Sequence, residues 1–342
     1  MPRPRPNPCA TTHAMTAFLI VCAVAGCGTP SGTTSPRPGA MTPDLTDAQA
    51  LAAAGDYDAA LTALEAVIAE NPTLTAAHLS VGEIHLEQGD HTAAEATYRR
   101  AVALAETQDD GSAPARDARF EASLGHGTAL QALGRLYDAI TAYLSALELR
   151  ADDGRANARL ASTYLELGES RQSLWYARRA RAADPASGPA RSTLAAALAA
   201  TGADQEAIRE YEAALELVGL EPPLLLGLAE SLGKLGRFAE MANTLETAVT
   251  VEATAPAVER LGYARFKLRQ YDAARDAFRR AIALDASHFP ALNGLAVVLL
   301  NDYLLGGQAD PAPRDEALTL LRRSLQLRPS QPQIANLLAR FQ

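Results

Sequence analysis

The chain has 342 residues, of which 48% are hydrophobic and 21% charged, so it can bury a large core and is not of the disordered class. Aromatic residues make up only 5% and alanine is frequent throughout, a composition that favours close-packed helices over a sheet protein. The formal net charge is −9 and no domain-sized basic surface is evident. Nucleic acid is therefore not an expected partner.

Residues 1–26 have the pattern of a signal peptide. Arg3 and Arg5 lie in a segment without acids, and an apolar run over residues 17–26 follows. A helix that crosses a bilayer needs about 20 apolar residues, roughly twice the length of this run. We therefore expect 1–26 to be a cleaved signal rather than a membrane-spanning helix.

Residues 24–27, Val-Ala-Gly-Cys, resemble the lipobox of bacterial lipoprotein signals. The resemblance implies that Cys27 becomes the lipidated first residue of the mature protein, with palmitate among its acyl chains. An ordinary signal peptide with a chance cysteine and a later start at Met15 are the alternatives. Gly28 follows the cysteine, where an aspartate retains some lipoproteins in the inner membrane. The expected location is therefore the cell envelope, at the outer membrane and facing the periplasm.

Residues 27–43 are predicted to be a flexible tether, because they are rich in glycine, proline, serine and threonine. Such a segment has a root-mean-square reach of roughly 20 Å. The folded body is then expected to span residues 44–342.

Glycines recur with a spacing of 34 residues along this body. Each separates two stretches with helical apolar periodicity, so the repeating unit is predicted to be a helical hairpin. The regularly spaced glycines are Gly134, Gly168, Gly202 and Gly236, with Gly55 and Gly89 as a second series.

This unit resembles the tetratricopeptide repeat family, whose 34 residues form two antiparallel helices. With the glycine at unit position 15, eight units begin near residues 41, 75, 120, 154, 188, 222, 255 and 289. The resemblance implies an all-α, right-handed superhelical solenoid. Residues 333–341 are predicted to form a final helix that caps it.

Three positions of the unit hold small residues, as close helix crossings require, and Met241 at position 20 is the large exception. Bulky residues such as Tyr98, Tyr143 and Phe278 stand at position 24. Position 8 holds Ala48, Gly82, Gly127, Ala161, Ala195, Ala229, Gly262 and Ala296. Position 20 holds Ala60, Ala94, Ala139, Ser173, Ala207, Met241, Ala274 and Ala317, and position 27 holds Val67, Ala101, Ala146, Ala180, Ala214, Ala248, Ala281 and Ser324.

Some units depart from the pattern. Eleven extra residues separate units two and three, and residues 106–117 are predicted to be an exposed loop. Unit eight carries residues 306–313 inside its hairpin, and unit seven has Arg269 where the glycine is expected.

Catalytic signatures are missing from the sequence, which contains no Walker-type loop, HExxH motif or nucleophile elbow. We therefore predict no enzyme activity, no cofactor and no metal. His78, His85 and His91 fall within one repeat, and a zinc site there is conceivable. Packing is the favoured interpretation, because the family usually fills these positions with aromatic residues.

A basic cluster surrounds Trp175, the single tryptophan of the chain. A solvated helix face is the favoured interpretation of the cluster, and a phosphate or anionic-lipid site is the alternative. Trp175 either is an exposed anchor or packs inward to compensate for the small Ala177 at position 24. The cluster consists of Arg171, Arg178, Arg179 and Arg181.

The resemblance also implies a partner-binding groove on the concave side, lined by positions 2, 5, 6, 9, 12 and 13 of the first helices. The groove of units four to seven is mixed in charge, with aromatic residues near its centre. The alternative is that Phe266 packs against the neighbouring unit and the arginines are solvated. The predicted groove residues are Arg155, Arg159, Glu166, Glu230, Lys234, Glu259, Arg260, Tyr263, Phe266 and Lys267.

The sequence thus predicts a non-catalytic, lipid-anchored interaction scaffold or assembly factor at the bacterial cell envelope, with a protein or peptide partner and no nucleic acid. The alternative function is an accessory or substrate-binding subunit of a separate envelope enzyme.

Overall fold

The computed structural model of the chain describes residues 45–342, and every regular element in that range is an α-helix. The predicted signal peptide, Cys27 and tether lie outside the described residues. The helices are α1 Leu45–Ala53, α2 Tyr57–Glu70, α3 Thr75–Glu87, α4 His91–Thr107, α5 Ala113–Ala132, α6 Leu136–Leu149, α7 Gly154–Glu166, α8 Ser170–Ala183, α9 Gly188–Ala200, α10 Asp204–Val218, α11 Pro222–Lys234, α12 Phe238–Val251, α13 Ala255–Lys267, α14 Tyr271–Leu284, α15 Phe289–Leu305, α16 Ala312–Leu327 and α17 Pro332–Phe341.

These helices pack in chain order. Each helix packs against the next one, and in most units the first helix also packs against the first helix of the following unit. Contacts that run only between neighbouring units define a solenoid. The predicted all-α solenoid of eight hairpins is therefore confirmed. The final helix α17 is confirmed too, since Ile334, Leu337, Leu338 and Phe341 pack against the last core cluster.

The small residues predicted at the helix crossings are buried at all three positions of the unit. Glycines at position 8 are packed against the bulky residue at position 24 of the same unit. A Cβ on Gly127 would lie 2.6 Å from the Tyr143 ring, and one on Gly262 would lie 2.9 Å from the Phe278 ring. The large ring at position 24 therefore fits because position 8 has no side chain, and the two helices can then cross closely.

The turn between the two helices of a unit needs a residue with positive φ. Glycine supplies it at Gly168 and Gly202, with φ of 78° and 81°. Arg269 takes the same conformation, with φ of 60°. The turn geometry is therefore retained in unit seven although its residue is not glycine.

The prediction of an exposed loop over residues 106–117 is wrong for most of its length. Helix α4 continues to Thr107 and α5 begins at Ala113. The Ser112 hydroxyl accepts a hydrogen bond from the Ala115 amide at 3.3 Å, and Pro114 stands in the first turn. Both are helix-start signals, so the inserted residues extend the two helices and leave only 108–112 as a loop.

Of the two alternatives for Trp175, an exposed anchor or an inward-packed ring, the structure shows the exposed one, with 53% of the residue's surface accessible. Its neighbour Tyr176 packs against two core clusters, one of which contains Ala177. The Tyr176 ring also stacks on Tyr164, with centroids 5.6 Å apart. The neighbouring tyrosine, and not the tryptophan, is the aromatic that packs inward.

Candidate interaction surface

The solenoid has an inner and an outer layer of helices. First helices of consecutive units contact one another, for example α7 with α9 and α13 with α15, whereas a second helix packs mainly against the first helices on either side of it. The layer whose members lie closer together forms the inside of the curve. The predicted groove residues all belong to this inner layer, on α7, α11 and α13.

The α7 part of the groove is tied to unit three by polar contacts. Arg155 is paired with Glu121, with 2.7 Å between the guanidinium and the carboxylate. This hydrogen-bonded partner raises the pKa of Arg155. Glu166 accepts a hydrogen bond of 2.5 Å from the Gln131 amide, and Arg159 is exposed. Arg155 is therefore engaged within the chain, while Arg159 remains available to a ligand.

Gln131 links the α7 part of the groove to the core. Its carbonyl oxygen accepts a hydrogen bond of 2.9 Å from the Tyr143 hydroxyl. Burial raises the pKa of Tyr143 to about 12, so the hydroxyl is a neutral donor at physiological pH. The orientation of Gln131, and through it that of Glu166, is thus fixed from inside the repeat.

A second cluster of charges joins α10, α11 and α13. The Lys234 ammonium lies 3.4 Å from Glu230 and 3.7 Å from Asp204, whose side chain is nearly buried. Arg260 lies 3.7 Å from the other oxygen of Glu230. Two cations therefore face two carboxylates, and this part of the groove is close to neutral.

Tyr263 and Lys267 form an exposed aromatic and cationic feature together with Phe238 from the outer helix α12. The Tyr263 and Phe238 centroids are 6.1 Å apart in an edge-to-face arrangement. The Lys267 ammonium lies 5.4 Å from the first ring and 5.7 Å from the second. Both distances are within cation–π range. Phe238 was not predicted, because the predicted groove positions were taken from the first helices of the units and Phe238 belongs to a second helix.

Phe266 lies partly in the core. It packs against the cluster formed by the last units, with its ring 5.6 Å from that of Tyr271. Of the two predicted groove aromatics, Tyr263 is thus exposed to 41%, whereas Phe266 contributes chiefly to packing.

Glu259 is a half-buried carboxylate that makes no ion pair within residues 45–342. Burial raises its pKa, and the nearby Arg260 opposes this effect. Such a group costs folding free energy as long as it is charged and unpaired.

Helix α9 separates the α7 residues from the α11 and α13 residues, so the structure does not bring the two sets into contact. The Lys234 ammonium approaches the Ala199 carbonyl oxygen of α9 at 3.5 Å. At the groove positions α9 carries short side chains, which leave room between the two sets for a ligand. They are Ser192, Thr193, Ala196, Ala199 and Ala200.

The three predicted histidines differ in their surroundings: a buried ring nitrogen of His85 and one of His91 have no hydrogen-bond partner among the described residues. A ring nitrogen of His78 lies 3.0 Å from the Pro72 carbonyl oxygen, and no group of metal-ligating side chains is found in the described part of the chain. None of the helices described has the length and apolarity that a bilayer-spanning segment requires.

Comparison with known families supports the repeat assignment. The tetratricopeptide repeat family model matches residues 45–111, 226–289 and 259–302. These segments lie in both the first and the last units of the solenoid. The match supports the tetratricopeptide repeat family, and it indicates no catalytic family.

Solved structures share the fold. A crystallised APC/C hetero-tetramer, Cut9–Hcn1, superposes with a TM-score of 0.58 at 18% identity, over 83% of this chain and 52% of that one. Pseudomonas aeruginosa pilF gives a TM-score of 0.55 at 17% identity, over 66% of this chain and 99% of the other. A tetratricopeptide repeat protein from Parabacteroides merdae gives 0.53 at 17% identity, over 75% and 97%.

A curated relative matches over a shorter stretch. The CTR9 homolog of Arabidopsis thaliana is 35% identical over 103 residues, which are 30% of this chain and 9% of that protein. The chain therefore matches a small part of this relative and about half of the Cut9–Hcn1 chain. The comparisons show that this chain shares the helical-repeat fold of these proteins.

Proposed function

We propose that this protein is a non-catalytic scaffold that binds a segment of a protein partner in the inner groove of units four to seven, while Cys27 anchors it by lipid to the bacterial cell envelope. Scaffolds with this fold bind proteins or peptides. The lipobox-like residues 24–27 support the anchor, and Gly28 after the cysteine supports the outer membrane.

The exposed feature of Tyr263, Lys267 and Phe238 is the single observation that carries the groove proposal. Hot spots of protein interfaces are enriched in tyrosine and arginine, and Tyr263 stands exposed on the inner layer with a cation held against its ring. Arg159 is exposed on the other side of the short side chains of α9. A partner segment that crosses α9 could place an acidic side chain against Arg159 and an apolar side chain against Tyr263.

Mutations in the groove test this proposal. The double variant Tyr263→Ala with Arg159→Glu removes the aromatic contact and inverts the charge at the two sides of the groove. We expect it to lose the partner that in-cell crosslinking identifies for the wild type. Folding should be unaffected, since both side chains are exposed.

The matched control places the same types of change on the outer layer. Tyr137→Ala with Arg280→Glu alters an exposed tyrosine on α6 and an exposed arginine on α14. It should retain the partner. If the two double variants behave alike in capture, with equal helicity by circular dichroism, the groove is not the binding surface.

The anchor is tested separately by the single change Cys27→Ser. This variant should lose acyl labelling and move from the membrane fraction to the soluble fraction. Labelling that persists in the variant would refute lipidation of Cys27.

An accessory subunit of an envelope enzyme is the second candidate. This function would use the same groove as the scaffold function, but the partner would be a catalytic chain or its substrate.

A further inference from the structure

The outer helix α8 differs in charge from the rest of the molecule. Over Ser170–Ala183 it carries four arginines and no acidic residue, in a chain whose net charge is −9. The neighbouring outer helices are acidic: α6 carries Asp138 and Glu148 without a basic residue, and α10 has five acids to one arginine. Among the second helices of the described units, α8 thus has the largest excess of positive charge.

Two of the four arginines are engaged and two are free. Arg179 donates to the Ala151 carbonyl oxygen at 2.7 Å and pairs with Asp152 at 3.1 Å, and Arg181 approaches Glu210 at 3.8 Å. Arg171 and Arg178 are exposed and make no hydrogen bond or ion pair with any described residue.

The single tryptophan lies between the two free arginines. Arg171, Trp175 and Arg178 follow one another at spacings of four and three residues, so they share one face of α8. The Arg179 guanidinium lies 4.7 Å from the Trp175 ring centroid, and Tyr176 meets the ring edge-on at 4.5 Å. The large apolar ring is therefore held outward rather than folded back onto the core.

The shape of this surface indicates the kind of partner that it fits. All residues that line the shallow depression around Trp175 belong to α8, so there is no opposite wall to enclose a peptide. An open surface on one helix, with an exposed indole and free cations beside it, matches a flat anionic surface. Tryptophan favours the membrane–water interface, and arginine is attracted by anionic headgroups.

We propose that the face of Arg171, Trp175 and Arg178 docks the solenoid onto a bilayer that contains anionic phospholipids. This surface belongs to the outer layer, so docking through it leaves the inner groove open to a partner. The inference does not depend on the groove proposal, because it concerns different residues and a different ligand.

The test uses the fluorescence of Trp175, which reports on this site alone because the chain has no other tryptophan. The full chain carries Cys27→Ser, so that no acyl chain contributes to binding. Vesicles of equal parts phosphatidylglycerol and phosphatidylcholine are added, and emission and co-sedimentation are measured at low salt. We expect a blue shift together with sedimentation, both of which weaken as salt rises.

Charge reversal at the two free arginines is the decisive variant. Each cation near an anionic surface contributes a factor of roughly five to partitioning, so Arg171→Glu with Arg178→Glu should weaken binding at least about twenty-fold. The matched control, Arg280→Glu with Arg322→Glu, reverses two exposed arginines on α14 and α16. It should change binding by no more than about two-fold, since those residues lie far from α8 along the solenoid.

Three results would overturn the proposal. The first is an equal loss of binding in the control variant, which would indicate a general charge effect. The second is an equal blue shift with vesicles of phosphatidylcholine alone, which would indicate apolar adsorption. The third is a shift with poly-glutamate and none with vesicles, which would assign the surface to an acidic polypeptide instead.

Discussion

At the scale of single residues, the groove contains one carboxylate, that of Glu259, whose burial lowers the stability of the folded state when it is charged. Glu259 is half-buried on the inner layer and makes no ion pair with the residues described, and burial raises its pKa. A folded state that binds the proton more tightly than the unfolded chain gains stability at low pH. That gain disappears as pH rises through the folded pKa. Unfavourable charges of this kind concentrate at functional surfaces.

Glu259→Gln is therefore expected to make the protein more stable near pH 7 and to leave its stability nearly unchanged near pH 3, where the carboxyl group is protonated in both states. Denaturant unfolding of both proteins at the two pH values measures the difference. A variant that is less stable near pH 7 would show that the charged carboxylate is compensated in the folded state. If Glu259 also contacts a basic group of the partner, the stabilised variant will bind less well.

At the scale of helices and hairpins, the 34-residue period made the fold predictable. Position 15 identified the turns, and the small residues at positions 8, 20 and 27 identified the crossings, because a close crossing excludes large side chains whatever the rest of the sequence. The prediction of a loop over 106–117 was wrong because all of the inserted residues were assigned to one loop. Ser112 and Pro114 are local signals for the start of a helix within that segment.

The details of the candidate site were less predictable. The repeat register placed Arg155 and Glu230 on the inner layer, but it did not reveal their partners Glu121 and Arg260. These contacts join different units and depend on side-chain rotamers. The choice between Trp175 and Tyr176 as the inward aromatic was equally undetermined, because the two are neighbours and only one can fit beside Ala177.

The crossing between α5 and α6 offers a direct test of this packing. In Gly127→Ala the new Cβ would lie 2.6 Å from the ring of Tyr143, which is fully buried and held by its hydrogen bond to Gln131. We expect a loss of roughly 1–3 kcal/mol in the free energy of unfolding, by overpacking.

Gly154→Ala is the matched control for that variant. It makes the same change at the start of α7, where the nearest atoms to a Cβ are 3.5 Å away. It should be neutral or slightly stabilising, because alanine favours helix. A Gly127→Ala protein as stable as the Gly154→Ala protein would show that the Tyr143 ring can move aside.

At the scale of the whole molecule, the two layers of the solenoid present different chemistry. The inner layer combines the exposed Tyr263 and Lys267 with short side chains on α9, whereas the outer layer carries the cationic face of α8. Repeats that contact only their neighbours hold such surfaces in fixed relation along the chain. One protein can then bind a partner on the inner layer while its outer layer meets another surface.

Site-specific photocrosslinking in cells tests the central claim most directly, because it reports which layer a partner touches. A benzophenone amino acid is placed at Tyr263 on the inner layer, or at Tyr137 on the outer layer, which is 72% exposed. We expect Tyr263 to yield a discrete crosslink to another polypeptide and Tyr137 to yield none. The same crosslink from Tyr137, with none from Tyr263, would contradict partner binding in the inner groove.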